Sequence, residues 1–129
     1  MFLFINTAED NKTEVALIKI EKNDKVKVIK RISSKTKSDK ALILVDKLLK
    51  SNKVTPKKLK GVFVIKGPGP FTAVRIAIAL ANTFSYALNI PVFGVKFVKD
   101  EKIEELIKKE IKNIKNIKPG KIVKPIENI

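Results

Sequence analysis

The chain has 129 residues, 44% of them hydrophobic and 32% charged, which is the composition of one folded domain. It contains no cysteine and no histidine, so disulfides, Cys/His zinc sites and histidine-based catalysis are excluded. The first residues lack the pattern of a signal peptide, and no segment is predicted to span a membrane. We expect a cytoplasmic protein.

The formal net charge of +15 has two interpretations. Lysines neutralise phosphates, so the charge would attract RNA. However, Arg31 and Arg75 are the only arginines, and lysine, isoleucine and asparagine are all overused, as an AT-rich genome would produce. Composition therefore explains much of the charge, and a direct role in RNA binding stays an alternative.

The first third of the chain has the alternation of β-strands. Residues 2–6 form a short apolar run, and residues 13–22 and 25–32 alternate on either side of an Asn23-Asp24 turn. An antiparallel meander of three strands is predicted.

Helical spacing begins after Ser38, which is predicted to cap a helix. The buried strand "GVFVI" follows, then a helix over about 71–88, the buried strand "NIPVFGV" and an amphipathic helix over 100–116. The order β-β-β-α-β-α-β-α predicts an α/β, ribonuclease H-like lobe of the type shared by actin, sugar kinases and heat-shock chaperones (ASKHA-type). Residues 1–116 are predicted to form this single lobe, and residues 117–129 an extended or flexible tail.

The stretch "KGPGPFTAVRIA" joins the buried strand to the long helix. Its spacing fits neither a P-loop nor a dinucleotide fingerprint, and its prolines remove N–H donors that a phosphate would need. A stiff structural corner is favoured over a phosphate cradle. In this interpretation Thr72 caps the helix and Phe71 anchors its start. The loop residues are Gly67, Pro68, Gly69, Pro70, Phe71 and Thr72.

The helix after the corner is apolar on nearly every side. Ala73, Ala77 and Ala81 lie four residues apart and form a ridge that allows close helix packing. One face of such a helix can pack on the sheet, and the alanine ridge needs another cover. Plain core packing, the neighbouring helix and another protein are all open as that cover.

The segment "GPGPFTAVRIAIALANTFSYALNIPVFGV" resembles the signature of the TsaB (YeaZ) family, whose members assist the formation of threonylcarbamoyladenosine in transfer RNA. The similarity covers residues 1–98. The chain departs from the family pattern at Asn6, where relatives have Asp, and at Pro70, Ala73 and Ala77. The family also has a second lobe, whereas this sequence is expected to form the first lobe only. An interlobe nucleotide cleft is therefore not expected here.

The resemblance implies a non-catalytic scaffold that needs no cofactor or metal. It implies a TsaD-type catalytic subunit as partner, with a TsaE-type ATPase as a further one, transfer RNA reached indirectly and no membrane. An arginine at the position of Arg75 implies a structural or interface salt bridge. The expected partner surface comprises Leu42, Val45, Leu49, Ala73, Arg75, Ala77 and Ala81. A homodimer on the same ridge, a lysine-rich RNA-binding module and a phosphotransferase or nuclease are the alternatives.

Overall fold

A computed structural model describes residues 1–35, 38–114 and 119–125. Five strands form one mixed sheet in the order β3-β2-β1-β4-β5. The strand β1 pairs antiparallel with β2 and parallel with β4, β2 pairs antiparallel with β3, and β4 pairs parallel with β5. The predicted α/β fold is confirmed. The strands are β1 Phe2–Asn6, β2 Thr13–Ile20, β3 Val26–Ser34, β4 Gly61–Gly67 and β5 Val92–Lys96.

In the described residues, two α-helices and two short 3₁₀ turns connect the strands, and two further α-helices follow β5. The 3₁₀ turns are Ser38–Lys40 and Pro56–Lys58, and the helices are α1 Ala41–Ser51, α2 Phe71–Leu88, α3 Ile103–Lys108 and α4 Ile111–Ile114. The bounds of α2 match the prediction. The single helix predicted over 100–116 is instead two short helices over its described part, and between them the N–H of Glu110 bonds to Ile107, three residues back, at 2.8 Å. Residues 115 and 116 of that prediction lie outside the described residues.

The sheet is covered on both faces. Because paired residues share a face, Phe63 lies beside Phe93, and their rings stack with centroids 5.1 Å apart. On this face Asn6 and Glu14 line a pocket together with Ile103 of α3. The opposite face carries Leu3 and Ile5 of β1 and is covered by α1 and α2. Both faces are buried, so the central strands β1 and β4 are apolar runs without polar alternation.

Neither predicted helix cap is present. Ser38 begins a 3₁₀ turn, and the residue that precedes α1 is Lys40, which makes no side-chain cap bond. The residue that precedes α2 is Pro70, whose carbonyl accepts the N–H of Val74 at 3.0 Å. Thr72 is exposed inside the first turn. Pro70, with its fixed φ, sets the entry angle of α2.

The described part of the tail lies against α2. The side-chain amide of Asn82 donates to the carbonyl of Val123 at 3.1 Å and accepts from its N–H at 3.0 Å. The division into a lobe of 1–116 and a tail of 117–129 stays a prediction. Residues 117, 118 and 126–129 of that tail lie outside the described residues.

Within the described residues, one helix, α2, is long and apolar enough to cross a membrane. The core helix of a folded domain can have the same length and composition, and α2 packs on the sheet. Its buried residues are Val74, Ala77, Ile78, Ala81 and Ser85. These positions lie on one side of the helix, and much of its remaining apolar surface faces away from the sheet.

Candidate protein-binding surface

The glycine–proline corner attaches the start of α2 to the loop after β1. Gly67 has a φ of +112°, which a residue with a side chain rarely adopts. At Gly69 the chain passes so close to the loop that a Cβ atom would lie 2.8 Å from the Cα atom and carbonyl oxygen of Ala8. The hydroxyl of Thr7 donates to the carbonyl of Ala73 at 2.7 Å. These contacts favour the structural corner over a phosphate cradle.

The alanine ridge lies on the buried side of α2. Ala77 and Ala81 have no exposed surface, and Ala73 is half-buried. On α1, Val45 and Leu49 are also part of the core. The expectation that these residues cover a partner is therefore wrong for Ala77, Ala81, Val45 and Leu49, because the chain's own sheet and core already cover them.

Large apolar side chains are exposed on the outer sides of the same two helices. Leu42 and Ile43 on α1 are 54% and 59% exposed, and Phe71 and Tyr86 on α2 are 67% and 92% exposed. The 3₁₀ turn that leads into α1 contacts α2, so the start of α1 lies near α2. We define the helix-pair surface as Leu42, Ile43, Phe71, Arg75, Ala79 and Tyr86.

Of the predicted site residues, Leu42 and Arg75 belong to the helix-pair surface, and Phe71 joins it from the predicted loop. Sequence reasoning missed Ile43, Ala79 and Tyr86. The signal was available in part, because Phe71, Arg75 and Ala79 are spaced four apart along one side of a helix. Because the helix is apolar on nearly every side, its sequence does not indicate whether this side or the alanine side faces a partner.

Arg75 packs on an aromatic ring. Its guanidinium carbon lies 3.5 Å from the ring centroid of Phe71, one helical turn earlier. Among the described residues Arg75 forms no ion pair, so the predicted salt bridge is replaced within the chain by this cation–π contact. Phe71 lies under the guanidinium and is largely exposed, so the prediction that it anchors the start of the helix as a hydrophobic staple is wrong.

A second concave feature lies where β1 ends and β2 begins. This pocket has a volume of about 230 Å³ and includes Asn6, Glu14, Arg31 and Asp100 in its lining. The side chain of Asn6 is hydrogen-bonded to the loop that follows it, since its Oδ1 atom accepts the N–H of Ala8 at 2.9 Å.

Two more carboxylates of the same pocket are held in ion pairs. Glu9 pairs with Lys12 at 3.4 Å and Glu101 with Lys109 at 2.7 Å. Within the described residues, no group of three or more His, Cys, Asp or Glu side chains is placed to hold a metal ion. The described residues of this pocket therefore do not fit a metal centre.

The fold, with its mixed sheet flanked by helices and its strand-end pocket, defines a ribonuclease H-like lobe. A family model described as "TsaD: tRNA N6-adenosine threonylcarbamoyltransferase" matches residues 19–99. The chain belongs to this family, in the branch of the TsaB (YeaZ) proteins.

The proteins that are similar to this chain include both TsaB proteins and threonylcarbamoyltransferases. The chain is 42% identical over 74 residues to the tRNA threonylcarbamoyladenosine biosynthesis protein TsaB of Buchnera aphidicola subsp. Schizaphis graminum, covering 55% of this chain and 35% of that protein. It is 26% identical over 85 residues to the tRNA N6-adenosine threonylcarbamoyltransferase of Geotalea daltonii, covering 66% of this chain and 25% of that protein.

A solved structure agrees with the sequence matches. YeaZ from Pseudomonas aeruginosa superposes with a TM-score of 0.62 and 26% identity, covering 74% of this chain and 43% of that one. The chain thus spans about a third of the TsaB relative and less than half of the YeaZ structure. The curated relatives are themselves named for the biosynthesis of threonylcarbamoyladenosine in tRNA or for the threonylcarbamoyltransferase.

Proposed function

We propose that the chain is a non-catalytic partner of a TsaD-type threonylcarbamoyltransferase, and that it binds this subunit through the helix-pair surface. The observation that carries the proposal is the exposure of Leu42, Ile43, Phe71 and Tyr86 on the two helices that follow β3 and the glycine–proline corner. Large exposed apolar side chains on adjacent elements are typical of protein interfaces. Tyr86 and Arg75 are of the residue types enriched at binding hot spots.

The catalytic step is assigned to the partner because this chain offers few groups for it. It has no histidine and no cysteine for general base or nucleophile roles. Asn6 stands where the family pattern has Asp, and an amide cannot supply the charge that a carboxylate gives to a metal ion. The chain is thus proposed to hold and orient the TsaD-type subunit, in a cytoplasmic complex to which a TsaE-type ATPase is added.

The test is binding to the TsaD-type subunit of the same cell, measured by titration calorimetry with purified proteins. Tyr86→Asp and Leu42→Asp each place a charge in the proposed interface and are expected to weaken binding by about tenfold or more. Val98→Asp is the matched control, because Val98 is 38% exposed in the loop after β5 and lies outside the helix-pair surface. Equal binding by all variants would contradict this placement of the interface.

A homodimer on the same surface is the second candidate. Sedimentation of the purified chain at two concentrations distinguishes it, because self-association increases the mass with concentration. A dimer that Tyr86→Asp dissociates, together with no binding to the TsaD-type subunit, would replace the proposed heterodimer.

A further inference from the structure

A carboxyl group without a partner is buried in the strand-end pocket, where β1 ends and β2 begins. Glu14 is 8% exposed, and it pairs with Asn6 on one side and Ser33 on the other, so strands enclose it on both sides. Its side chain forms no hydrogen bond or ion pair with any residue that the structure describes. Buried polar groups are normally hydrogen-bonded, because burial without a partner is costly. The carboxyl group of Glu14 therefore indicates a pocket that receives a donor from outside the chain.

The other charges around this pocket leave Glu14 free. Two ion pairs use four of them, and these are Glu9 with Lys12 at 3.4 Å and Glu101 with Lys109 at 2.7 Å. Arg31, Asp100 and Lys102 also line the pocket, and none of the three is ion-paired within the described ranges. The pocket thus offers free groups of both signs.

Arg31 is the cation best placed to act together with Glu14. On β3 it lies two residues from Ser33, which is opposite Glu14, so both side chains are on the same face of the sheet. Diagonal neighbours of this kind lie about 7–8 Å apart at the backbone. Arg31 is exposed whereas Glu14 is buried. The pocket therefore has a carboxyl group inside and a guanidinium group at its mouth.

The volume and the charges restrict the chemistry of an occupant. The pocket has about 230 Å³, about seven times the roughly 30 Å³ that one water molecule occupies in the liquid. This is room for a small molecule. The net charge of +15 repels a simple cation, and a molecule that also has an anionic group is repelled less.

We propose that the strand-end pocket binds a small zwitterion, an amino acid whose ammonium group donates to Glu14 and whose carboxylate accepts from Arg31. The ammonium group supplies the donors that the buried carboxyl group lacks, and guanidinium binds a carboxylate through two parallel N–H bonds. The site lies on the α3 side of the sheet, and the helix-pair surface belongs to the helices on the opposite side. Its occupation is therefore separate from the binding of a TsaD-type subunit.

The experiment follows the backbone amide NMR signals of the full chain during titration with glycine, β-alanine, γ-aminobutyrate and 6-aminohexanoate. These probes differ in the spacing between ammonium and carboxylate, and at least one should shift the signals of Asn6, Glu14 and Arg31 to saturation. Butylamine and butyrate each have one of the two groups and should bind about tenfold or more weakly than the best amino acid. Butylamine that bound as tightly would overturn the zwitterion. No saturable shift with any probe would show that water alone satisfies Glu14 and would overturn the site.

Two variants test the assigned contacts. Glu14→Gln keeps the shape and removes the charge, and should weaken binding of the best amino acid by about tenfold or more. Because it replaces an unpartnered buried carboxyl group, it should not lower the unfolding temperature. Arg31→Gln should weaken the amino acid to the level of butylamine and leave the affinity for butylamine unchanged.

Glu105→Gln is the matched control, because Glu105 is an exposed residue of α3 outside the pocket lining. It makes the same change in net charge as Glu14→Gln and should leave the affinity nearly unchanged. An equal loss of binding in both variants would show a general effect of charge and overturn the site. If Glu14→Gln lost stability together with binding, Glu14 would be a support of the fold, and its assignment to a ligand would be overturned.

Discussion

Gly69 and Ala8 meet backbone to backbone, and a Cβ atom at Gly69 would lie 2.8 Å from both the Cα atom and the carbonyl oxygen of Ala8. The atoms in the way belong to the main chain and cannot rotate aside. The corner before α2 and the loop after β1 are therefore held in one arrangement, which fixes where α2 begins and how its outer side is presented.

Gly69→Ala is expected to destabilise the protein by about 1–3 kcal/mol, because the added methyl group must displace backbone. Chemical denaturation measures the free energy of unfolding. Gly94→Ala is the matched control, since its Cβ would meet the side chains of Lys66 and Val123, at 2.8 and 2.9 Å, and Lys66 can move. A cost at Gly69 no larger than at Gly94 would show that the contact with Ala8 is not tight.

The two sides of α2 should respond differently to the same substitution. Ala77 is completely buried, so Ala77→Leu overpacks the core and should destabilise the fold by about 1–3 kcal/mol. Ala79→Leu places the same side chain on the exposed side and should change stability by less than about 0.5 kcal/mol. Thermal unfolding of both variants checks this, and equal costs would mean that the buried side of α2 has been misassigned.

Sequence patterns were sufficient for the order of the strands and helices along the chain up to β5 and for the bounds of α2. Continuous apolar runs in β1 and β4 indicate strands that are covered on both faces, as they are in the structure. The alternation in 13–22 identifies a strand but not its burial, since residues 13–18 of β2 are all buried. The glycine–proline corner before Phe71 and Asn89 after Leu88 mark the helix ends, and Asn89 has the left-handed conformation of a helix C-cap.

The orientation of α2 could not be predicted in the same way. Both of its sides are apolar, so periodicity gives no preference, and only the shape of the sheet selects the small alanine side for close contact. The contacts of Arg75 and Gly69 were not predicted either. The stacking of Arg75 on Phe71 depends on side-chain rotamers, and the approach of Gly69 to Ala8 depends on the path of the loop. The strand-end pocket gathers residues that are distant in sequence.

The contact between Asn82 and Val123 should hold the described tail segment on α2. Asn82→Ala removes both hydrogen bonds to the Val123 backbone, while alanine keeps the helix favourable. Hydrogen exchange of the Val123 amide should accelerate by about tenfold or more, given about 1 kcal/mol for each bond. Thr83→Ala, whose hydroxyl bonds only to Ala79 within α2, is the control and should leave that exchange rate unchanged.

The hairpin between β2 and β3 offers a prediction on pH. The ammonium group of Lys27 lies 2.7 Å from Glu21, and this hydrogen bond is the main cause that lowers the pKa of the Glu21 carboxyl group. A lowered folded-state pKa gives stability that is present above the ordinary pKa of about 4.5 and lost as pH falls through the folded-state pKa. Lys27→Gln should therefore raise the pKa of Glu21 and weaken this part of the acid dependence of unfolding.

The carboxyl carbon shift of Glu21, followed by NMR across an acid titration, measures the change directly. Lys22→Gln removes an adjacent charge that forms no ion pair with Glu21 among the described residues and serves as control, whereas Lys25→Gln should have a smaller effect of the same sign as Lys27→Gln. If Lys22→Gln and Lys27→Gln raised the pKa equally, a diffuse field of lysines would be responsible. The short contact between Lys27 and Glu21 would then contribute nothing of its own.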